Sequence, residues 1–163
     1  MGEQFSILWQ VALAALLGGI IGAEREYVRK AAGLRTHMLV AAAAALFLRL
    51  GTMIVGEFTL QADGGIVSAD PTRVIQAVVT GISFLGAGTI IFHRNRGSVE
   101  GLTTAASILL VSAIGMTVAM GAIVLAAGVT AGALAILMGI GVIEDRLGRG
   151  TRRAPGDDEP KSP

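Results

Sequence analysis

The chain of 163 residues contains no cysteine, and only 4% of its residues are aromatic and 15% are charged. The absence of cysteine excludes disulfides, thiolate metal ligands and a cysteine nucleophile. The charged fraction lies below the roughly 25% of a typical soluble domain, so polar residues are too few to cover a water-soluble globule. With 53% hydrophobic residues and 23 glycines, the composition instead indicates closely packed membrane helices.

Five apolar stretches are long enough to cross a bilayer as helices. A hydrocarbon core about 30 Å thick needs roughly 20 residues, because a helix rises about 1.5 Å per residue. We predict membrane helices over residues 5–23, 38–56, 74–92, 102–119 and 122–143. One helix over the last two stretches would be roughly twice as long as the core is thick, so we place a hairpin tip at Met120 and Gly121. The predicted fold is an all-α bundle of about five transmembrane helices.

The positions of lysine and arginine predict the orientation of this bundle. Eleven of the 13 basic residues lie in alternate segments: the connection after the first helix, the connection after the third, and the segment after the fifth. Because basic segments stay in the cytoplasm, we predict an N-terminus outside and a C-terminus inside. Residues 1–143 then form the membrane domain. Residues 144–163, with three of the four prolines, are predicted to form a disordered cytoplasmic tail.

Two polar features need an explanation. They are Arg49, within the second predicted helix, and the Asp-Pro-Thr-Arg motif at residues 70–73. A charge at the bilayer centre costs about 2.5–3.5 kcal/mol on insertion scales. Arg49 therefore either extends its side chain to the interface or pairs internally, with Glu57 and Asp70 as candidate partners. Asp70 is also the predicted N-cap of the third helix, with Pro71 in its first turn.

The third and fourth predicted helices are unusually polar. Hydrogen bonds between helices explain such residues at about 0.6 kcal/mol per contact; the alternative is a polar path between the two helices. The residues concerned are Gln76, Thr80, Ser83 and Thr89, and Thr103, Thr104, Ser107 and Ser112.

Glycines supply further packing signals. The G-x-x-x-G pairs Gly18/Gly22 and Gly128/Gly132 let helix backbones approach closely, either within one subunit or at a dimer face. The glycine-rich stretch at residues 81–88 predicts a continuous, closely packed helix or, alternatively, a locally broken helix whose free carbonyls face a cation.

Charges of both signs concentrate at the predicted cytoplasmic ends of the first two helices. Such residues often only set the depth and orientation of a helix. A hard cation such as Mg²⁺ prefers oxygen ligands, so Glu24 and Glu26 are candidate ligands. Residues two apart do not share a helix face, so a joint site requires the first helix to end between them. The residues concerned are Glu24, Arg25, Glu26, Arg35, Thr36 and His37.

Five short segments carry a family resemblance when they are taken together and in order. They are GGIIGAERE (18–26), AGLRTHMLV (32–40), DPTR (70–73), GISFLGAGTI (81–90) and GLTTAAS (101–107). They resemble the MgtC/SapB family of bacterial membrane proteins over about residues 13–140. The resemblance implies an inner-membrane protein connected with growth in low Mg²⁺ and, in some pathogens, with survival in macrophages. Some members act on other membrane proteins, including the ATP synthase.

Three departures from the family pattern limit this resemblance to the membrane domain. Glu100 stands where members commonly carry a basic residue, and Thr103 stands where virulence-type members often have asparagine. Those members also carry cysteines and a C-terminal ACT-like domain, whereas here a polar tail is expected.

The resemblance implies a role in growth or homeostasis under Mg²⁺ limitation through a membrane partner. The alternative is a small oligomeric transporter or channel for Mg²⁺ or another solute. We expect no enzymatic activity and no cofactor, and the expected partners are the lipid bilayer, a membrane protein or further copies of this chain, but not nucleic acid. The candidate functional residues are Glu24, Arg25, Glu26, Arg35, His37, Asp70, Arg73, Thr103 and Thr104.

The predicted orientation can be tested by labelling single cysteines, because the chain has none of its own. An impermeant thiol reagent added outside the cell should label a cysteine at Ser68 and should not label one at Ser98. Labelling of the Ser98 position from outside would contradict the orientation.

Overall fold

The computed structural model describes residues 2–61, 72–91 and 101–148. These residues form five helices: α1 (Gly2–Tyr27), α2 (Leu34–Gln61), α3 (Thr72–Ile91), α4 (Leu102–Ala119) and α5 (Ile123–Gly148). Within the described ranges α1, α2, α3 and α4 are long and apolar enough to cross a membrane, and α5 contains the apolar stretch Ile123–Gly139. The predicted all-α membrane bundle is confirmed. Its orientation stays a prediction, and α5 continues past the predicted boundary at residue 143.

Helix α4 is the central helix of the bundle. It packs against all four other helices, and α1 also packs along α2. In the apolar part of α4, 56% of the residues are buried, compared with 11% in α3. The core therefore lies among α1, α2 and α4, where small and β-branched residues such as Ala41, Ala45, Ile108 and Val111 are buried. Helices α3 and α5 pack on the outside of this core.

Glycines let the three core helices approach one another at the backbone. A Cβ atom on Gly22 would lie 2.8 Å from the Leu34 Cα and 2.9 Å from the His37 Cβ. A Cβ atom on Gly18 would lie 2.6 Å from the His37 carbonyl oxygen, and one on Gly115 of α4 would overlap the Ala41 carbonyl. The first G-x-x-x-G pair thus packs within the subunit, which confirms that prediction.

The second G-x-x-x-G pair differs from the first. Nothing else in the described part of the chain lies within 4 Å of a Cβ atom placed on Gly128 or Gly132. The described residues therefore give no support to intramolecular packing for this pair. A shared spacing of small residues does not determine which helix face meets the core.

Helix α3 is continuous from Thr72 to Ile91, so the hypothesis of a helix broken at its glycines is wrong. Gly86 is buried, and a Cβ atom there would lie 3.3 Å from the Ala105 Cβ of α4. Gly81 and Gly88 have no such neighbour among the described residues. One glycine of the three therefore serves helix packing within the subunit.

The hairpin between α4 and α5 turns where the sequence predicts it. Gly121 has φ +80°, a conformation that favours glycine. Its N–H donates to the Val118 carbonyl (2.9 Å), and the Ala122 N–H donates to the Thr117 carbonyl (3.1 Å). This is the Schellman pattern that ends a helix and reverses the chain.

The same pattern ends α1 with a residue other than glycine. Arg29 has φ +56°, its N–H donates to the Glu26 carbonyl (3.0 Å), and the Lys30 N–H donates to the Arg25 carbonyl (2.9 Å). The turn satisfies carbonyl groups that the end of α1 would otherwise leave free. It also returns the chain so that α2 runs antiparallel to α1.

The contact between α4 and α2 predicts that substitution by alanine has different effects on stability at two glycines. Gly115→Ala should lower the free energy of unfolding by about 1–3 kcal/mol, because the new methyl group overlaps the Ala41 carbonyl. Gly128→Ala, the matched control, should be neutral or stabilising because alanine is the better helix former. Equilibrium unfolding in detergent measures both. Equal stability of the two variants would contradict the contact.

Candidate functional site

Polar side chains from three core helices meet near the end of α1 and the start of α2. We call this group the polar junction, and it consists of the side chains of Glu24, Arg25, Glu26, His37 and Ser107 together with the backbone carbonyl of Thr104. The glycines of α1 place it: Gly22 contacts the His37 Cβ, and Arg25 follows one turn later on the same buried face. The junction therefore results from the close approach of α1, α2 and α4.

His37 is the centre of the junction and is fully buried. Its Nδ1 lies 2.8 Å from the Gly33 carbonyl oxygen, and its Nε2 lies 3.0 Å from the Ser107 Oγ of α4. A carbonyl only accepts, so Nδ1 carries a proton and donates. Both ring nitrogens are thus satisfied, one within α2 and one across to α4, as a buried polar group requires.

The Ser107 hydroxyl can serve either protonation state of this ring. Its Oγ lies 2.8 Å from the Thr104 carbonyl oxygen as well as next to the His37 Nε2. A hydroxyl has one proton and two lone pairs. It donates to Nε2 when the ring is neutral, and it donates to Thr104 and accepts from Nε2–H when the ring is charged.

Arg25 and Glu24 form a buried ion pair beside this ring. The Nε and Nη2 of Arg25 donate to the two carboxylate oxygens of Glu24, the second over 2.6 Å. The exposed fractions are 4% for Arg25 and 12% for Glu24. Because an unpaired buried charge is costly, each of these residues requires the other.

Glu26 connects the two helices instead of joining Glu24. Its Oε2 accepts a hydrogen bond from the Leu34 N–H, the first residue of α2, over 2.8 Å. This satisfies a first-turn donor that has no partner within the helix. Helix α1 runs through both glutamates to Tyr27, so the condition for a joint Mg²⁺ site is not met. Residues 2–61, 72–91 and 101–148 contain no cluster of three His or acidic residues suited to a metal ion.

Three of the other candidate residues are exposed side chains at helix starts and form no part of the junction itself. Arg35 and Thr103 are exposed at the starts of α2 and α4, and Arg73 is exposed at the start of α3. Asp70, with its predicted N-cap role, lies outside the described residues. The structure therefore brings together the side chains of four of the nine predicted residues, Glu24, Arg25, Glu26 and His37, and a fifth, Thr104, takes part through its backbone carbonyl.

Two hydroxyls of α3 do not support the alternative of a polar path between the third and fourth helices. The hydroxyls of Thr80 and Ser83 on α3 are exposed and donate to the Gln76 and Val79 carbonyls of their own helix. On α4 the buried Ser107 faces His37 of α2. Hydrogen bonds between helices, the other explanation, apply to Ser107, whereas the Thr80 and Ser83 hydroxyls bond within α3.

Sequence reasoning did not single out Ser107, Gly33 or Gln10. Ser107 stood among several α4 hydroxyls, and its partner is 70 residues away in the chain. Gly33 leaves room for Glu26, whose Oε2 would lie 2.8 Å from a Cβ atom there. A glycine just before a helix start, facing an acidic helix end, is the one local signal for this contact.

Gln10 and Arg49 carry buried atoms, Oε1 and Nε, for which the described residues provide no hydrogen-bond partner. Gly18 faces Ala41 across the antiparallel pair of helices. Gln10 lies eight residues before Gly18 on α1, and Arg49 lies eight residues after Ala41 on α2. Gln10 and Arg49 therefore lie at a similar depth in the bundle. Both hypotheses for Arg49, extension to the interface and an internal partner, stay predictions.

The fold and this junction define a helical membrane protein with a buried polar centre, and comparison with known proteins identifies its family. The model of the MgtC family matches residues 11–146. The chain therefore belongs to the MgtC family. No solved structure matches it.

Three relatives show the extent of the similarity. The "Putative magnesium transporter YhiD" of Escherichia coli K12 is 44% identical over 116 residues, covering 69% of this chain and 50% of the relative. MgtC of Brucella abortus is 40% identical over 126 residues, covering 77% and 48%. SrpB of Synechococcus elongatus is 33% identical over 126 residues, covering 74% and 66%. The chain thus spans about half the length of the first two.

The contact across the junction predicts coupling between His37 and Ser107. Ser107→Ala should cost about 1 kcal/mol of unfolding free energy, typical of one buried hydrogen bond. Combined with His37→Ala, the two costs should depart from additivity by about 0.5–3 kcal/mol. Ser112→Ala is the matched control, because this buried α4 hydroxyl donates to the Leu109 carbonyl. Additive costs in both pairs, measured by unfolding in detergent, would contradict the contact.

Proposed function

We propose that this chain is a non-enzymatic inner-membrane protein that supports bacterial growth under Mg²⁺ limitation by acting on a membrane-protein partner. Membership of the MgtC family supports the link to Mg²⁺ homeostasis, as does the name of the E. coli relative. The match covers the helical membrane part that the described residues form.

One observation supports action on a partner: the exposed Arg35 stands on the rigid polar junction. Its neighbour Leu34 is held by Glu26, and His37, two residues on, is bonded on both sides. These bonds fix the helix that carries Arg35, and its exposed guanidinium group offers a planar set of donors suited to a carboxylate of another protein. The buried junction residues, by contrast, already bond to their own chain.

The alternative is an oligomeric transporter or channel for Mg²⁺ or another solute. The name of the E. coli relative favours it. The exposed face of α3 also does, because Gln76, Thr80 and Ser83 recur there at helical spacing. Further copies of the chain would be needed to enclose that face.

A deletion strain grown in graded Mg²⁺ tests the proposal. The strain should grow poorly only at low Mg²⁺, and the intact gene should restore growth. Arg35→Ala should fail to restore growth although the variant is present in the membrane at the normal amount. The reason is that the exposed side chain contributes to recognition of the partner and not to folding. Lys30→Ala is the control, since it removes one exposed positive charge from the same connection.

The outcomes separate the two functions. Crosslinking from the Arg35 side should recover one membrane protein with the wild-type chain and lose it with Arg35→Ala. Mg²⁺ flux into liposomes that contain only this protein would favour the transporter. Normal growth of the deletion strain at every Mg²⁺ concentration would overturn the proposal.

A further inference from the structure

A groove of about 720 Å³ runs between α2 and α3 on the outside of the bundle. Val40 and Ala44 of α2 are buried and form its floor, and Phe47 and Leu50 form one wall. Val78 and Ile82 of α3 contribute to the other wall. Arg73 is a charged lining residue at one end. The groove is therefore lined by apolar residues, with the positively charged Arg73 side chain at one end.

The packing of α3 explains why the groove exists. Near its start α3 approaches α2 so closely that a Cβ atom on Gly51 would lie 2.5 Å from the Val74 Cγ2. Near its end α3 instead packs on α4, where Gly86 faces Ala105. Since α3 passes from one neighbour to the other, the space beside α2 stays open.

The groove is at least as long as one leaflet of a bilayer. Its α3 wall extends from Arg73 to Ile82, a rise of roughly 14 Å at about 1.5 Å per residue. Its α2 wall extends from Val40 to Ile54, a rise of roughly 21 Å. Half of a hydrocarbon core about 30 Å thick is about 15 Å. Arg73 is the second residue of the apolar span Thr72–Ile90, so we expect its guanidinium near the lipid headgroups when this span crosses a bilayer.

We propose that this groove binds an anionic phospholipid, with an acyl chain between α2 and α3 and the phosphate on Arg73. Phe47 and Ile54 are 57% and 54% exposed along the groove and would contact the chain. Apolar contacts distinguish poorly between one lipid tail and another, because every tail in the bilayer offers them. Selectivity therefore comes from the charge-assisted hydrogen bonds between guanidinium and phosphate.

Photoactivatable lipids test this proposal. The full chain is placed in bilayers containing phosphatidylglycerol or phosphatidylcholine with a diazirine in the acyl chain, and crosslinks are mapped by mass spectrometry. Phosphatidylglycerol should label groove residues such as Phe47 about fivefold more than phosphatidylcholine, the preference expected for one basic residue at the surface. This wild-type comparison does not depend on the folding of any variant.

Two pairs of variants locate the site. Arg73→Gln should reduce the preference to about equal labelling, whereas Lys30→Gln, which removes one exposed positive charge elsewhere, should keep it. Ala77→Phe, which fills the groove, should reduce labelling there by both lipids. Ala87→Phe, on an exposed part of α3 outside the groove, should leave it unchanged.

Several results would overturn the proposal. Equal labelling by the two lipids in the wild-type chain would show that Arg73 selects no headgroup. Labelling of Phe84, outside the groove, as strong as that of Phe47 would show ordinary bilayer contact. Crosslinks from groove residues to a second copy, or to residues 62–71 of the same chain, would identify a different occupant.

Discussion

The structure depends on the close backbone approach of α1, α2 and α4 around His37 and Ala41. Within a bilayer no hydrophobic force drives helices together, so association requires surfaces that fit closely and polar groups that bond across them. Glycines on α1 and α4 provide the fit, because any side chain there would overlap the backbone of α2. The same approach brings the Ser107 hydroxyl within reach of His37, so that packing and hydrogen bonding support each other.

This arrangement separates a polar centre from a more loosely packed periphery. In the junction His37, Arg25 and Glu24 bond to groups of their own chain, as buried polar groups must when water is excluded. Outside it, α3 and α5 bury little of their surface. The rigid part therefore positions exposed residues such as Arg35, whereas the groove beside α3 arises where packing is incomplete.

Much of the fold could be predicted because its causes are local. An apolar stretch about as long as the bilayer is thick must form a helix there, and glycine at position 121 readily adopts the left-handed turn. The candidate residues were harder to interpret. Glu24 and Glu26 suggested a shared cation, yet one pairs with Arg25 and the other caps α2. Thr80 and Ser83 suggested a path beside α4, yet their face of α3 turns away from that helix.

The sequence by itself determined the five helices, the tip of the last hairpin and the family of the protein, since each depends on residues close together in the chain or on recognisable motifs. Only the tertiary structure decided that His37 meets Ser107, that Gly115 meets Ala41 and that a groove opens beside Arg73. Such contacts depend on the rotation and register of whole helices. These are set jointly by all the surfaces in contact, and no single stretch of sequence contains that information.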